Sequence, residues 1–120
     1  MNAEVIRSFH FEAAHRLPNV PPGHKCARLH GHNYRVEVHV SGPVDPAMGW
    51  VIDFGDIKRI VEPILAGLDH CCLNELPGLE NPTSELIAKY LFEKIAPLLG
   101  GLSAVTVWES DASRCTYRGG

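Results

Sequence analysis

The stretch Cys26-Ala27-Arg28-Leu29-His30-Gly31-His32 sets two imidazoles two residues apart, four residues after a thiol. If the backbone there is extended, His30 and His32 point the same way, because side chains alternate faces along a strand. Gly31 between them leaves room for a metal or ligand to come close. Two imidazoles and a nearby thiol suggest a zinc site, or a metal-assisted reaction with a sulfur base or nucleophile. The plain alternative is two hydrogen-bonded histidines at a strand end and an inert Cys26. His15 is the third candidate, since three neutral imidazoles leave a tetrahedral zinc one open position, as catalytic sites do. His10 and His39 fall on the polar faces of their strands and are read as solvated. His24, in a loop, is open to either reading.

Asp69-His70 is a second constellation. A carboxylate can set the tautomer of an imidazole and raise its basicity, although neighbours in sequence need not bond to each other. Cys71 and Cys72 follow directly and read as small residues at a junction; Cys115 reads as core. Glu109 shares the parity of Val105 and Val107, so it projects with apolar residues, which is costly for an unpaired carboxylate. Its partner is either an arginine of the same sheet or a bidentate N–H donor on a heterocycle such as a pterin or guanine. Thr83, Ser84 and Glu85 read first as a helix N-terminus, whose N–H groups could also meet a polar ligand.

The elements that position these groups follow from periodicity. Val5, Phe9 and Phe11 against Glu4, Ser8, His10 and Glu12 give a strand over 3–12, with Ile6 and Arg7 each on the wrong side. Tyr34, Val36, Val38 and Val40 continue the parity of His30 and His32, giving a strand over about 30–41. The loop 18–25, rich in Pro and Gly, makes these an antiparallel pair with His15, His30 and His32 at one end. Ile57, Ile60, Val61, Ile64, Leu65 and Leu68 mark a helix beginning at Asp53 or Gly55, which Pro63 should kink or shorten. A second helix starts near Asn81-Pro82-Thr83 and ends by Pro97 and Gly100-Gly101. Strands over 103–109 and 114–118 close the chain. The order ββααββ predicts an α+β fold: an antiparallel four-stranded sheet with two helices on one face, in one domain over 1–120.

No apolar run approaches the roughly 20 residues of a membrane span. The N-terminus reads as a strand rather than a cationic signal segment. Cys26, Cys71, Cys72 and Cys115 make a poor disulfide framework, which fits a reducing, cytoplasmic setting. A net charge of −3 argues against nucleic acid as a partner. The charge is uneven: residues 1–35 carry five Lys/Arg against two Glu, and the rest six against twelve. A basic end including Arg16, Lys25 and Arg28 suits a small anion such as a phosphate ester.

Taken together, Phe9-His10-Phe11-Glu12-Ala13-Ala14-His15-Arg16-Leu17, Cys26 with His30-Gly31-His32, Asp53-Phe54, Leu68-Asp69-His70, Pro82-Thr83-Ser84-Glu85 and Val107-Trp108-Glu109 resemble the 6-pyruvoyltetrahydropterin synthase superfamily. Across nearly the whole chain they are most similar to its bacterial branch, the 6-carboxytetrahydropterin synthases of queuosine biosynthesis. The short spacing from Cys26 to His30 resembles that branch; the pyruvoyl enzymes have a longer insertion. The resemblance implies the tunnelling fold, with zinc on His15, His30 and His32, Cys26 as general base, and Asp69 with His70 as proton relay. Glu109 would anchor the pterin ring, assisted by Thr83, Ser84 and Glu85. The implied reaction converts 7,8-dihydroneopterin triphosphate to 6-carboxytetrahydropterin, releasing acetaldehyde and triphosphate. The implied assembly is a homo-oligomer, a dimer of trimers with sites at subunit boundaries. Cys71-Cys72 departs from the family pattern and offers alternative thiols. The competing readings are the pyruvoyl synthase or a related dihydroneopterin-cleaving enzyme, and, from another class, a non-catalytic zinc- or purine-binding module. A thiol, an Asp-His pair and an inward carboxylate favour chemistry over binding alone.

Overall fold

A computed structural model describes residues 1–120. Two strands of fourteen residues form its spine: β1 (Asn2–His15) and β2 (His30–Pro43), antiparallel along their whole length with His15 opposite His30. Helix α1 (Phe54–Ala66) follows, then β3 (Cys71–Cys72), α2 (Ser84–Ile95), β4 (Leu102–Ser110) and β5 (Ser113–Tyr117). The sheet order is β3-β1-β2-β4-β5.

The expected α+β architecture holds, with one correction to the sheet. It has five strands rather than four and is mixed rather than purely antiparallel, because Cys71 and Cys72 pair parallel to Ala13 and Ala14. So short a strand shows no periodicity. It forms because the turn after α1 is pinned to the edge of β1: the His70 N–H donates to the Glu12 carbonyl at 2.5 Å, and Asp69 Oδ1 accepts the Glu12 N–H at 2.9 Å. Beyond this contact, the outer edge of β1 back to Asn2 has no strand partner.

One parity of the sheet is dry. Phe9, Phe11, Tyr34, Val36, Val38, Val105 and Val107 face Ile57, Val61, Leu65, Ile87, Leu91 and Ile95 of the helices, all in one core cluster. Burying each such side chain contributes roughly 1.5–3 kcal/mol, so the strand register is set by apolar packing. The other parity is polar: Ser8, His10, Arg35, Glu37 and Trp108. Asp53 caps α1 through its side chain on the Gly55 N–H, and Thr83 caps α2 on the Leu86 N–H. Pro63 does not end α1, which runs on to Ala66 without the N–H that would have bonded the Arg59 carbonyl. No helix is long and apolar enough to cross a membrane. The radius of gyration is 15.5 Å, above the about 13.6 Å expected of a compact chain this long, because the β1–β2 ribbon extends the molecule to 57 Å.

Candidate functional site

The register His15↔His30 and Ala13↔His32 brings three imidazoles to one end of the ribbon, on the core parity. His15 is fully buried, whereas His30 and His32 are half-buried. Burial holds both His15 and His32 below the ordinary imidazole range. His15 donates its Nδ1–H to the Pro82 carbonyl at 2.8 Å, and His30 donates its own to the Arg28 carbonyl at 2.7 Å. A carbonyl only accepts, so in each neutral ring the proton is on Nδ1 and the lone pair on Nε2. Those two Nε2 atoms stand 3.0 Å apart.

Glu109 completes the group, its Oε1 lying 3.1 Å from His32 Nε2 and 3.3 Å from His15 Nε2. The partner of this inward carboxylate is therefore the histidine cluster and not an arginine of the sheet. His32 Nε2 is buried with no hydrogen-bond partner. Lone pairs and a carboxylate oxygen aimed at one point repel each other unless a cation sits between them. The ligand atoms of His15, His30, His32 and Glu109 all lie within 4.8 Å of one another, so this cluster can hold a metal ion. Beneath it, the Tyr34 ring packs edge-on to His15 and His32, and burial raises its phenol well above the usual range.

Cys26 sits on a single helical turn, Lys25–Ala27, capped by the His24 ring, whose Nδ1 accepts from the Cys26 N–H at 3.0 Å. His24 thus orients the segment that carries the thiol. Cys26, Lys25, His30, His32, Glu109, Ser110 and Ser113 line one cavity of about 410 Å³. Larger openings exist, but this one is lined by three of the four cluster members, His15 being buried behind its walls.

Asp69 and His70 are bonded to each other, His70 Nδ1 to Asp69 Oδ2 at 2.9 Å. They do not enter the Cys26 cavity. His70 lines a separate cavity of about 520 Å³ with Glu12, Gly31, Cys71 and Cys72, and His32 is in the walls of both. Thr83, Ser84 and Glu85 also lie outside the Cys26 cavity; their link to the cluster is the preceding Pro82 carbonyl on His15. Cys115 is half-buried on β5, its thiol pushed up by burial and by the nearby Glu85. His39 is not solvated as expected: it joins Glu4 (3.2 Å) to Thr106 (3.2 Å) in a polar chain across the open face. The Pro82 and Arg28 carbonyls and the Glu12 contact escaped the sequence reading, since backbone partners leave no signature in residue type. The cap by His24 was signalled by a histidine two residues before the cysteine.

A mixed sheet with both helices on one side, and at its strand ends a cluster of three histidines and a carboxylate that could hold a metal ion, define the class: an α+β protein with a candidate metal centre. The chain belongs to the 6-pyruvoyl tetrahydropterin synthase family, whose model matches residues 4–120. It is 40% identical over 119 residues to the 6-carboxy-5,6,7,8-tetrahydropterin synthase of Synechocystis sp., covering 94% of this chain and 91% of that one. It is 48% identical over 102 residues to a putative 6-carboxy-5,6,7,8-tetrahydropterin synthase of Archaeoglobus fulgidus, covering 84% and 83%. Among solved structures, the 6-pyruvoyl tetrahydropterin synthase of Caenorhabditis elegans superposes with a TM-score of 0.90 at 32% identity, over 100% of this chain and 97% of that one.

Proposed function

We propose that this chain is a zinc-dependent 6-carboxytetrahydropterin synthase. It would take 7,8-dihydroneopterin triphosphate and one water to 6-carboxytetrahydropterin, acetaldehyde and triphosphate, a cytoplasmic step toward queuosine. The observation that carries the reading is a thiol, two imidazoles and an inward carboxylate lining one cavity, with the buried His15 Nε2 3.0 Å from His30 and 3.3 Å from Glu109. The relatives named for this activity support the choice of product.

Zinc fits the donors. Zn–N bonds of about 2.0–2.1 Å at tetrahedral angles put donor atoms roughly 3.3–3.4 Å apart, close to the 3.0–3.3 Å separations quoted above. The Nδ1–H bonds of His15 and His30 to carbonyls are the outer-shell contacts that orient ligating histidines. When bound, the metal supplies Lewis-acid polarisation of substrate oxygens. The chain's own residues do the rest. Cys26, as thiolate, removes the proton on the side-chain carbon next to the polarised oxygen. Glu109 accepts the paired N–H donors of the pterin, assisted by Thr83, Ser84 and Glu85. Asp69 and His70 return the proton.

Residues 1–120 form a single domain. Cys26 and His70 line different cavities within it, the open face is polar, and β1 has a free edge. These features support a homo-oligomer, a dimer of trimers, in which one subunit's His70 serves its neighbour's Cys26. Product analysis tests the function. Acetaldehyde with 6-carboxytetrahydropterin upholds it; the pyruvoyl product, the runner-up suggested by the Caenorhabditis elegans structure, replaces it; binding without turnover leaves a zinc- or pterin-binding module.

A further inference from the structure

We propose that Glu12 is a positioning residue that, together with Asp69, sets the His70 ring between two carboxylates as the proton donor of the Asp69–His70 pair. The use of that donor rests on the relay reading above. Glu12 holds the pair at three points. Its N–H donates to Asp69 Oδ1 at 2.9 Å, its carbonyl accepts the His70 N–H at 2.5 Å, and its Oε2 lies 3.5 Å from His70 Nε2. On the other side of the ring, Asp69 Oδ2 stands 2.9 Å from Nδ1. The imidazole therefore has a carboxylate at each nitrogen, and only the imidazolium presents a hydrogen to both. At 3.5 Å the Glu12 contact is an ion pair more than a hydrogen bond, loose enough for a substrate to displace.

The backbone that carries the ring is itself unusual. His70 has φ 57, the left-handed region that residues with a Cβ rarely enter. No other cation competes for the two carboxylates, since neither has another basic partner within 4.0 Å. The other titratable groups around the ring are His32 from β2 and Cys71 and Cys72 from β3. Arg7, His10, Lys58 and Glu62 share the next cavity with Asp69. The Asp69 hydrogen bond first, its charge next and the Glu12 charge last raise His70 above the usual imidazole range. His70 and Glu12 are 73% and 62% exposed, so the Glu12 effect is modest and sensitive to salt. In the step itself, the proton leaves Nε2 for the substrate. The neutral ring keeps its Nδ1–H on Asp69, and solvent restores the lost proton.

The test is a pH titration of the His70 ring by NMR in the full zinc-loaded chain, its resonance assigned by loss in His70→Gln. Glu12→Gln, which keeps the backbone contacts, should lower the His70 midpoint by about half a unit at low ionic strength. That difference should vanish in about 1 M salt. Glu12→Asp should retain part of it, and Asp69→Asn should lower the midpoint further. The alkaline limb of kcat should move with the midpoint. An unchanged midpoint in Glu12→Gln overturns the proposal. A lowered midpoint with an unmoved alkaline limb upholds the Glu12 clasp and overturns the relay.

Discussion

The Nε2 atoms of His15 and His30 face each other at 3.0 Å, each with its ring proton committed to a backbone carbonyl behind it. The His15 ring cannot turn to relieve the opposed lone pairs without leaving the buried Pro82 carbonyl unpaired, which costs about 1–3 kcal/mol. The cluster is built for a cation before any cation arrives.

His15→Ala, His30→Ala and His32→Ala should each release metal, from about one per chain in the parent to a small fraction of that. Elemental analysis after gel filtration reads this out, with circular dichroism checking the fold. Stoichiometric metal in all three variants would remove the site. Glu109→Gln separates two roles for the carboxylate. If it anchors the ring, affinity for a pterin analogue falls about tenfold or more while metal stays. If it is a fourth donor, metal affinity falls first.

Cys26→Ala should retain metal and pterin binding and lose turnover. Activity within a few-fold of the parent would move the base elsewhere, with Cys71 and Cys72 next to be tried. Those thiols line the His70 cavity rather than the Cys26 cavity, so single substitutions there should be much milder.

Dissociating and remixing Cys26→Ala with His70→Ala tests the sharing of sites. Because the two residues line different cavities of one chain, mixed oligomers should regain part of the parent activity. Mixtures as inactive as their components would confine each site to one subunit. A stable, fully active monomer on sedimentation would exclude the assembly altogether.

Metal-free protein should lose stability as the pH falls. His15 and His32 are held below the ordinary 6.5 by burial, so near and under that pH the unfolded chain binds more protons than the folded one. Their contribution is present above about 6.5 and declines as the pH drops through and below it. His70 works in the opposite direction, its raised pKa favouring the fold at low pH and fading as pH rises. Melting temperatures of chelator-treated protein at pH 7.5 and 5.5 should differ by several degrees. His32→Gln should narrow the gap, and a gap of the same size in that variant would count against the assignment.

Gly101→Ala should destabilise the fold far from the site. Its φ is +81, and an added Cβ would stand 2.8 Å from the Ser41 carbonyl oxygen. Ser41 also donates its N–H to the Gly101 carbonyl at 2.9 Å, so the two backbones cannot part cheaply. A loss of about 1–3 kcal/mol is expected from denaturant midpoints. An unchanged midpoint would mean that β4 starts differently.

Alternation along two strands was enough to gather His15, His30 and His32, because Phe9, Phe11, Tyr34 and Val36 leave their register almost no freedom. The same reasoning turned Glu109 inward and offered an arginine or the N–H donors of a heterocycle as its partner but not the histidines, since parity says which face a side chain joins and not what waits there. Periodicity failed where elements are too short to have any, as at Cys71–Cys72. It also failed where the partner is a carbonyl, as at Pro82, or where polar residues pair among themselves, as His39 does with Glu4 and Thr106.

The left-handed backbone at His70 puts two demands on one position. The turn asks for glycine or asparagine, the residues that occupy this conformation at least cost. The ring clasped by Asp69 and Glu12 asks for histidine. Any replacement must choose: His70→Asn or His70→Gly relaxes the turn and removes the acid, so a variant here can gain stability as it loses function. A library sorted for thermostability alone should drift toward those two residues, while one sorted for turnover should hold the imidazole and its strain together.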